Sequence, residues 1–91
     1  MTSGVTTPRV YLVRGATDLR KSFDALSGLV RESVEHDPLS GDLFVFCSRQ
    51  RRLIKILYWD GTGVWVLAKR LDRGRFRWPK ERDLCAAIDM T

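Results

Sequence analysis

Hydrophobic and polar positions alternate most clearly over residues 53–70, LIKILYWDGTGVWVLAKR. Two runs rich in β-branched and aromatic residues, Leu53–Trp59 and Val64–Arg70, flank Asp60-Gly61-Thr62-Gly63. That turn composition between two such runs predicts a β-hairpin. With Gly61 and Thr62 as the loop, Trp59 faces Val64 and Ile56 faces Leu67. Side chains alternate across a strand, so Ile54, Ile56, Tyr58, Trp65 and Leu67 share one face. Leu53, Lys55, Leu57, Trp59, Val64, Val66, Ala68 and Arg70 share the other. The first face is wholly apolar and is the expected core side; the second carries cations. Residues 74–79, GRFRWP, again have a period of two, with Phe76 and Trp78 pointing one way and Arg75 and Arg77 the other. That is the pattern of a half-buried strand.

Upstream the period changes. Leu19, Phe23, Leu26, Val30 and Val34 recur at helical intervals, broadened by Leu29. They predict an amphipathic helix from Leu19 to near His36, with Thr17 or Asp18 as its N-cap. Arg20, Lys21, Asp24, Arg31, Glu32 and Glu35 make a solvated polar face of mixed sign. Gly28 lies within this helix at a cost of about 1 kcal/mol relative to Ala, either for close approach to the sheet or merely tolerated. Asp37-Pro38 ends the helix, because the residue before a proline avoids helical geometry. Residues 9–13, RVYLV, form a short strand. The continuous apolar run in residues 43–48, LFVFCS, fits a central strand covered on both faces. Residues 80–91 carry a weak helical pattern in Leu84, Ala87 and Ile88 and are expected to cap a sheet edge. Residues 1–8, small and polar, are expected to be disordered. Residues 9–79 thus form one α+β domain: one amphipathic helix packed on a small antiparallel sheet of four to five strands.

Charge sharpens this picture. The 91 residues carry a formal net charge of +5. Residues 1–42 have a net charge of −1, residues 43–79 a net of +7, and residues 80–91 a net of −1. The excess therefore lies on the predicted sheet, in Arg49, Arg51, Arg52, Lys55, Lys69, Arg70, Arg73, Arg75 and Arg77. A concentrated positive field favours a polyanion, and nucleic acid is the commonest one in a cytoplasm. Charges on an edge strand also block sheet-to-sheet aggregation, but that role needs one or two cations rather than a cluster. The composition is 44% hydrophobic and 30% charged, that of a folded domain. No apolar run reaches membrane-spanning length, and the first residues lack a secretory leader pattern, so the expected location is cytoplasmic.

Little else in the chain points to chemistry. Cys47 and Cys85 are far apart with no CxxC pair, and His36 is the only histidine, so a structural zinc site lacks ligands. Cys47 suits a small core residue, and His36 suits a partner for the helix C-terminus. Asp18, Asp24, Asp37, Asp42, Asp60 and Asp72 could in principle serve a metal-dependent nuclease. Each has a simpler local place in a cap, turn, strand start, helix surface or loop, and the predicted strands carry no interior acids. No phosphate-binding loop or nucleophile motif is present. No catalytic residue, cofactor or metal is expected. Trp59, Trp65, Trp78 and Tyr58 could stack on unpaired bases, although aromatics at alternating strand positions more often belong to a core.

Three segments together resemble a known family: residues 10–30, VYLVRGATDLRKSFDALSGLV; residues 37–46, DPLSGDLFVF; and residues 54–79, IKILYWDGTGVWVLAKRLDRGRFRWP. In order and wording they are similar to the TnpB-type accessory protein, the second open reading frame of bacterial insertion sequences of the IS-sixty-six type. The resemblance covers about three quarters of the chain, and TDLRKSFD, DPLSG, WDG and KRLDRGRFRWP carry it. It implies a small protein encoded beside a separate DDE-type transposase and needed for efficient transposition, with no catalytic role of its own. Where the family has an Arg-Gly-Arg-Arg-like run, this chain has Cys47-Ser48-Arg49-Gln50-Arg51-Arg52, which keeps the charge with altered spacing. Family members also continue past the RFxWP segment with a longer helical tail.

Charge and resemblance together lead to one expectation. The chain is a non-catalytic accessory protein of transposition that contacts transposon DNA through the nine basic residues named above and helps to assemble the transposase complex. Its partners would be transposon-end DNA, the transposase and other proteins of the same element, with no membrane. The alternative is a module that docks on the transposase without touching DNA, with Trp59 as its apolar anchor.

Overall fold

The computed structural model describes residues 8–79 and the backbone of residues 87–89. In chain order the elements are β1 (Val10–Val13), α1 (Phe23–Leu29) with a π-helical continuation (Val30–Val34), β2 (Leu43–Cys47), β3 (Leu53–Trp59), β4 (Val64–Arg70) and β5 (Ala87–Asp89). The strands form one sheet in the order β4-β3-β2-β1-β5. The α+β class and the single helix on a sheet agree with the sequence. The sheet is mixed rather than purely antiparallel. β1 and β2 run parallel, Tyr11 beside Phe44, because the helix carries the chain across between them. The expected capping of a sheet edge takes the form of a strand: Ala87–Asp89 pairs antiparallel with β1. The rest of the expected C-terminal helix, with Leu84, lies outside the described residues, as does the N-terminal segment 1–7.

The helix is shorter than its periodicity suggests. Asp18 does not cap it. Its carboxylate instead accepts from the backbone N–H of Arg20 at 3.0 Å and takes both a Nε and a terminal guanidinium bond from the same residue. This local turn excludes residues 18–21 from the helix, and Ser22 becomes the N-cap, its Oγ accepting from Ala25 N–H at 3.4 Å. Leu19 keeps its place in the core from the turn. At the other end Leu26, Val30 and Val34 are spaced by four. A π-helical turn holds such a spacing on one side of the helix, and all three are buried. The helix closes at Glu35 in the left-handed region, φ 59°. His36 follows at the helix end, its backbone N–H donating to Val30 O at 3.1 Å, and its ring lies against Tyr11, centroids 4.4 Å apart, in an aromatic cluster with Phe44.

The core comprises Val13, Leu19, Leu26, Val30, Val34, Phe44, Phe46 and Leu57, with Tyr11, Leu29, Leu53 and Val64 packed at its margin. β2 is central and buried along nearly its whole length, as its unbroken apolar run requires. The hairpin register is the predicted one, Trp59 against Val64 and Ile56 against Leu67. Its orientation is the reverse of the expectation. Phe44 pairs directly with Leu57, so the side carrying Leu53, Leu57 and Val64 faces the helix. The wholly apolar face of Ile54, Ile56, Tyr58, Trp65 and Leu67 is turned away from it, with Trp65 and Leu67 55% and 47% exposed.

Candidate nucleic-acid interface

Strand pairing determines where the cations lie. β2 ends at Cys47, β3 begins at Leu53 and β4 ends at Arg70, and Leu53 pairs with Arg70. Arg49, Arg51, Arg52, Lys69 and Arg70 are thereby brought to one end of the sheet. The chain after β4 stays there: Leu71 N–H donates to Arg52 O at 2.8 Å, and Phe76 N–H donates to Arg51 O at 2.7 Å. Between these two bonds Gly74 adopts φ 76°, which a Cβ would strain, and turns the chain back toward the sheet. Arg73, Arg75 and Arg77 therefore join the same end.

Residues 74–79 are an extended segment tied at isolated points, not the regular strand the alternation suggests. The alternation itself is real. Phe76 and Trp78 are half-buried while Arg75 and Arg77 are exposed. Trp78 donates from Nε1 to Val13 O at 2.7 Å, and Gly15 N–H donates to Pro79 O at 2.8 Å. These bonds join the segment to the end of β1, so the two guanidinium groups project from a fixed backbone.

Seven of the nine sequence-selected cations are exposed here: Arg49, Arg52, Lys69, Arg70, Arg73, Arg75 and Arg77. None of them is ion-paired among the described residues, where Arg20 with Asp18 forms the surface pair, 3.0 Å apart. The other two face inward. Arg51, held at φ 64°, donates to Gly15 O at 3.1 Å. Lys55 donates its ammonium to Leu19 O from the helix side of β3. Both ties fasten the loop after β1 to the sheet. Beside them an open groove of about 680 Å³ runs between residues 16–20 and 48–55, with Arg49 and Gln50 on its rim.

The opposite end of the hairpin has the contrary sign. Asp42 precedes β2 and Asp60 follows β3, with Leu43 paired to Tyr58 between them. Asp60 Oδ1 accepts from Thr62 N–H, Thr62 Oγ1 and Gly63 N–H, and Oδ2 accepts from Trp65 Nε1 at 2.8 Å. These donors, the Thr62 N–H foremost, lower its pKa to about 2. Trp59 lies at this acidic end, half-buried, remote from the basic cluster. The tryptophan that presents its ring to solvent is Trp65. Composition had not separated these two, because only the strand facing distinguishes them.

Other chemistry is sparse. Cys47 is a free, fully buried thiol whose pKa burial pushes up against the opposing pull of Arg51. Among the described residues no three His, Cys, Asp or Glu side chains come together to hold a metal ion. No helix among them is long and apolar enough to cross a membrane.

No solved structure matches the chain. Two curated relatives come from Sinorhizobium fredii strain NGR234. The uncharacterized protein y4hO is 44% identical over 80 residues, covering 88% of this chain and 70% of the relative. The uncharacterized protein y4jC is 32% identical over 75 residues, covering 82% of this chain and 64% of the relative. A family model described as IS66 Orf2-like protein matches residues 8–91, nearly the whole chain, and the chain belongs to that IS66 Orf2-like family.

Proposed function

We propose that this protein is a non-catalytic accessory factor of transposition that holds transposon DNA by phosphate contacts at the basic end of its sheet and so assists assembly of the transposase complex. Family membership supports the transposition context. The DNA contact rests on one observation: seven exposed cations share one end of the sheet with no acid paired to any of them among the described residues. Guanidinium groups on a fixed extended backbone bind phosphate oxygens without reading bases. Arg75 and Arg77 are the first candidates for phosphate contact, with Arg49, Arg52, Lys69, Arg70 and Arg73 at the same end of the sheet. Arg51 and Lys55 support it from beneath through their carbonyl bonds.

The test is a titration of the purified protein against labelled duplexes of transposon-end and unrelated sequence. Changing both Arg75 and Arg77 to Ala is expected to weaken binding to the two duplexes by the same factor. Retention of the transposase in a pull-down with no DNA retained at low salt would favour the docking alternative. Trp59, at the far end of the hairpin, is that alternative's anchor.

A further inference from the structure

β4 is exposed in a way that β1, β2 and β3 are not. Every residue from Trp65 to Arg70 is exposed, including three consecutive large apolar side chains, Trp65, Val66 and Leu67. The strand is the last in the sheet and the helix packs chiefly on β3, so among the described residues the outer edge and both faces beyond Val64 are open. Lys69 and Arg70 stand only at one end, leaving the apolar middle of the edge unguarded. The Trp65 ring is fixed by its bond to Asp60, which satisfies the indole N–H and leaves the flat apolar surface outward.

The outer edge has a definite hydrogen-bonding pattern. Asp60 N–H donates to Gly63 O at the turn, which marks that pair as hydrogen-bonded. Alternation along an antiparallel ladder then directs the N–H and C=O of Val64, Val66, Ala68 and Arg70 away from β3. A second β4 laid antiparallel with Leu67 on a two-fold axis places Val66 opposite Ala68 and Val64 opposite Arg70. Those are the residues whose backbone groups point outward, so every one of them finds a partner. Sliding the register by two residues leaves outward groups unpaired at the ends.

Side chains agree with that register. Leu67 meets its symmetry mate, and Lys69 crosses to Trp65, a cation over an indole face. No cation lies opposite another. The two Arg70 backbones stand roughly 20 Å apart along the strands, at about 3.3 Å per residue. That exceeds the screening length of about 8 Å at physiological salt. A heterologous pairing of β4 with the β5 edge would instead propagate as an open filament, whereas the two-fold closes.

We propose that β4 is the dimerisation edge of this protein: two copies join β4 to β4 antiparallel about Leu67 into one continuous sheet, which takes Lys69 and Arg70 into the seam and leaves Arg49, Arg52, Arg73, Arg75 and Arg77 of each copy for the DNA surface.

Sedimentation of the whole chain across micromolar concentrations is expected to show a monomer–dimer equilibrium. Leu67→Glu, which sets like charges against each other on the axis, is expected to weaken the dimer at least tenfold with an unchanged circular dichroism spectrum. Leu67→Cys in a Cys85→Ser background is expected to cross-link two copies on oxidation. Val66→Cys in the same background is expected not to, because directly opposed residues come close enough for a disulfide and offset ones do not. A protein that stays monomeric throughout, a dimer indifferent to Leu67→Glu, or equal cross-linking at both positions would overturn the proposal. The first of these results would leave β4 as an edge for some other strand.

Discussion

Asp60 gathers four donors from its own turn and the following strand, and the consequence is a defined pH dependence. Its folded pKa, about 2, lies below the ordinary aspartate value of 3.8. The unfolded state therefore binds the proton more readily, so the stabilisation is complete above about pH 4–5 and is lost as pH falls toward 2. Asp18 beside Arg20 titrates over the same window. Asp60→Ala is expected to flatten, not abolish, the acid limb of a stability–pH profile. The Trp65 Nε1–H resonance of the unmodified protein should shift over the same range, and a resonance indifferent to pH down to 2 would contradict the bond. At Gly28 a Cβ would meet nothing within 4 Å. The glycine is thus tolerated rather than required by a close approach. Gly28→Ala is expected to stabilise the protein by about 0.5–1 kcal/mol in urea unfolding, and a loss of stability would count against this packing.

Among the elements, the hairpin shows what its residues reveal and what they conceal. Its register was legible because Asp60-Gly61-Thr62-Gly63 leaves few ways to turn, and the register fixes which side chains share a face. Which face is buried was not legible. Lys55 and Arg70 mark their side as polar, yet Lys55 reaches the Leu19 carbonyl and Arg70 lies on a strand the helix does not cover. The decisive contact, Leu57 beside Phe44, joins strands that sequence alone does not align. The helix start was missed for a similar reason, since Asp18 and Ser22 both suit an N-cap and only the Arg20 side chain decides between them. Lys55→Met should remove the ammonium while keeping the stem, destabilising the fold by about 1.5–3 kcal/mol, the worth of a hydrogen bond to a charged group. It should leave the salt dependence of DNA binding unchanged, because Lys55 serves the Leu19 carbonyl. Trp78→Phe removes the bond to Val13 O and should cost about 0.5–1.5 kcal/mol in the same assay. It should also weaken DNA binding by loosening residues 75–79.

Across the sheet as a whole, the seven exposed cations of residues 49–77 lie at one end, with Asp72 in the same stretch of chain, and Asp42 and Asp60 lie at the other. The sequence showed the excess of +7 in residues 43–79 but not its polarity, which comes from the alternating direction of β2, β3 and β4. Seven of the nine selected cations end up outside and two within, a division set by backbone carbonyls that charge counting does not register. Guanidinium groups gathered and unpaired in this way should displace condensed counterions from a duplex, each phosphate contact adding about 0.9 to the slope of log K against log salt. The most direct measurement is that slope, taken from about 50 to 200 mM salt for the unmodified protein and for Arg75→Ala/Arg77→Ala. A slope lower by about 1.8 in the double variant is the expected result. An unchanged slope would mean that these two arginines do not meet phosphate at all.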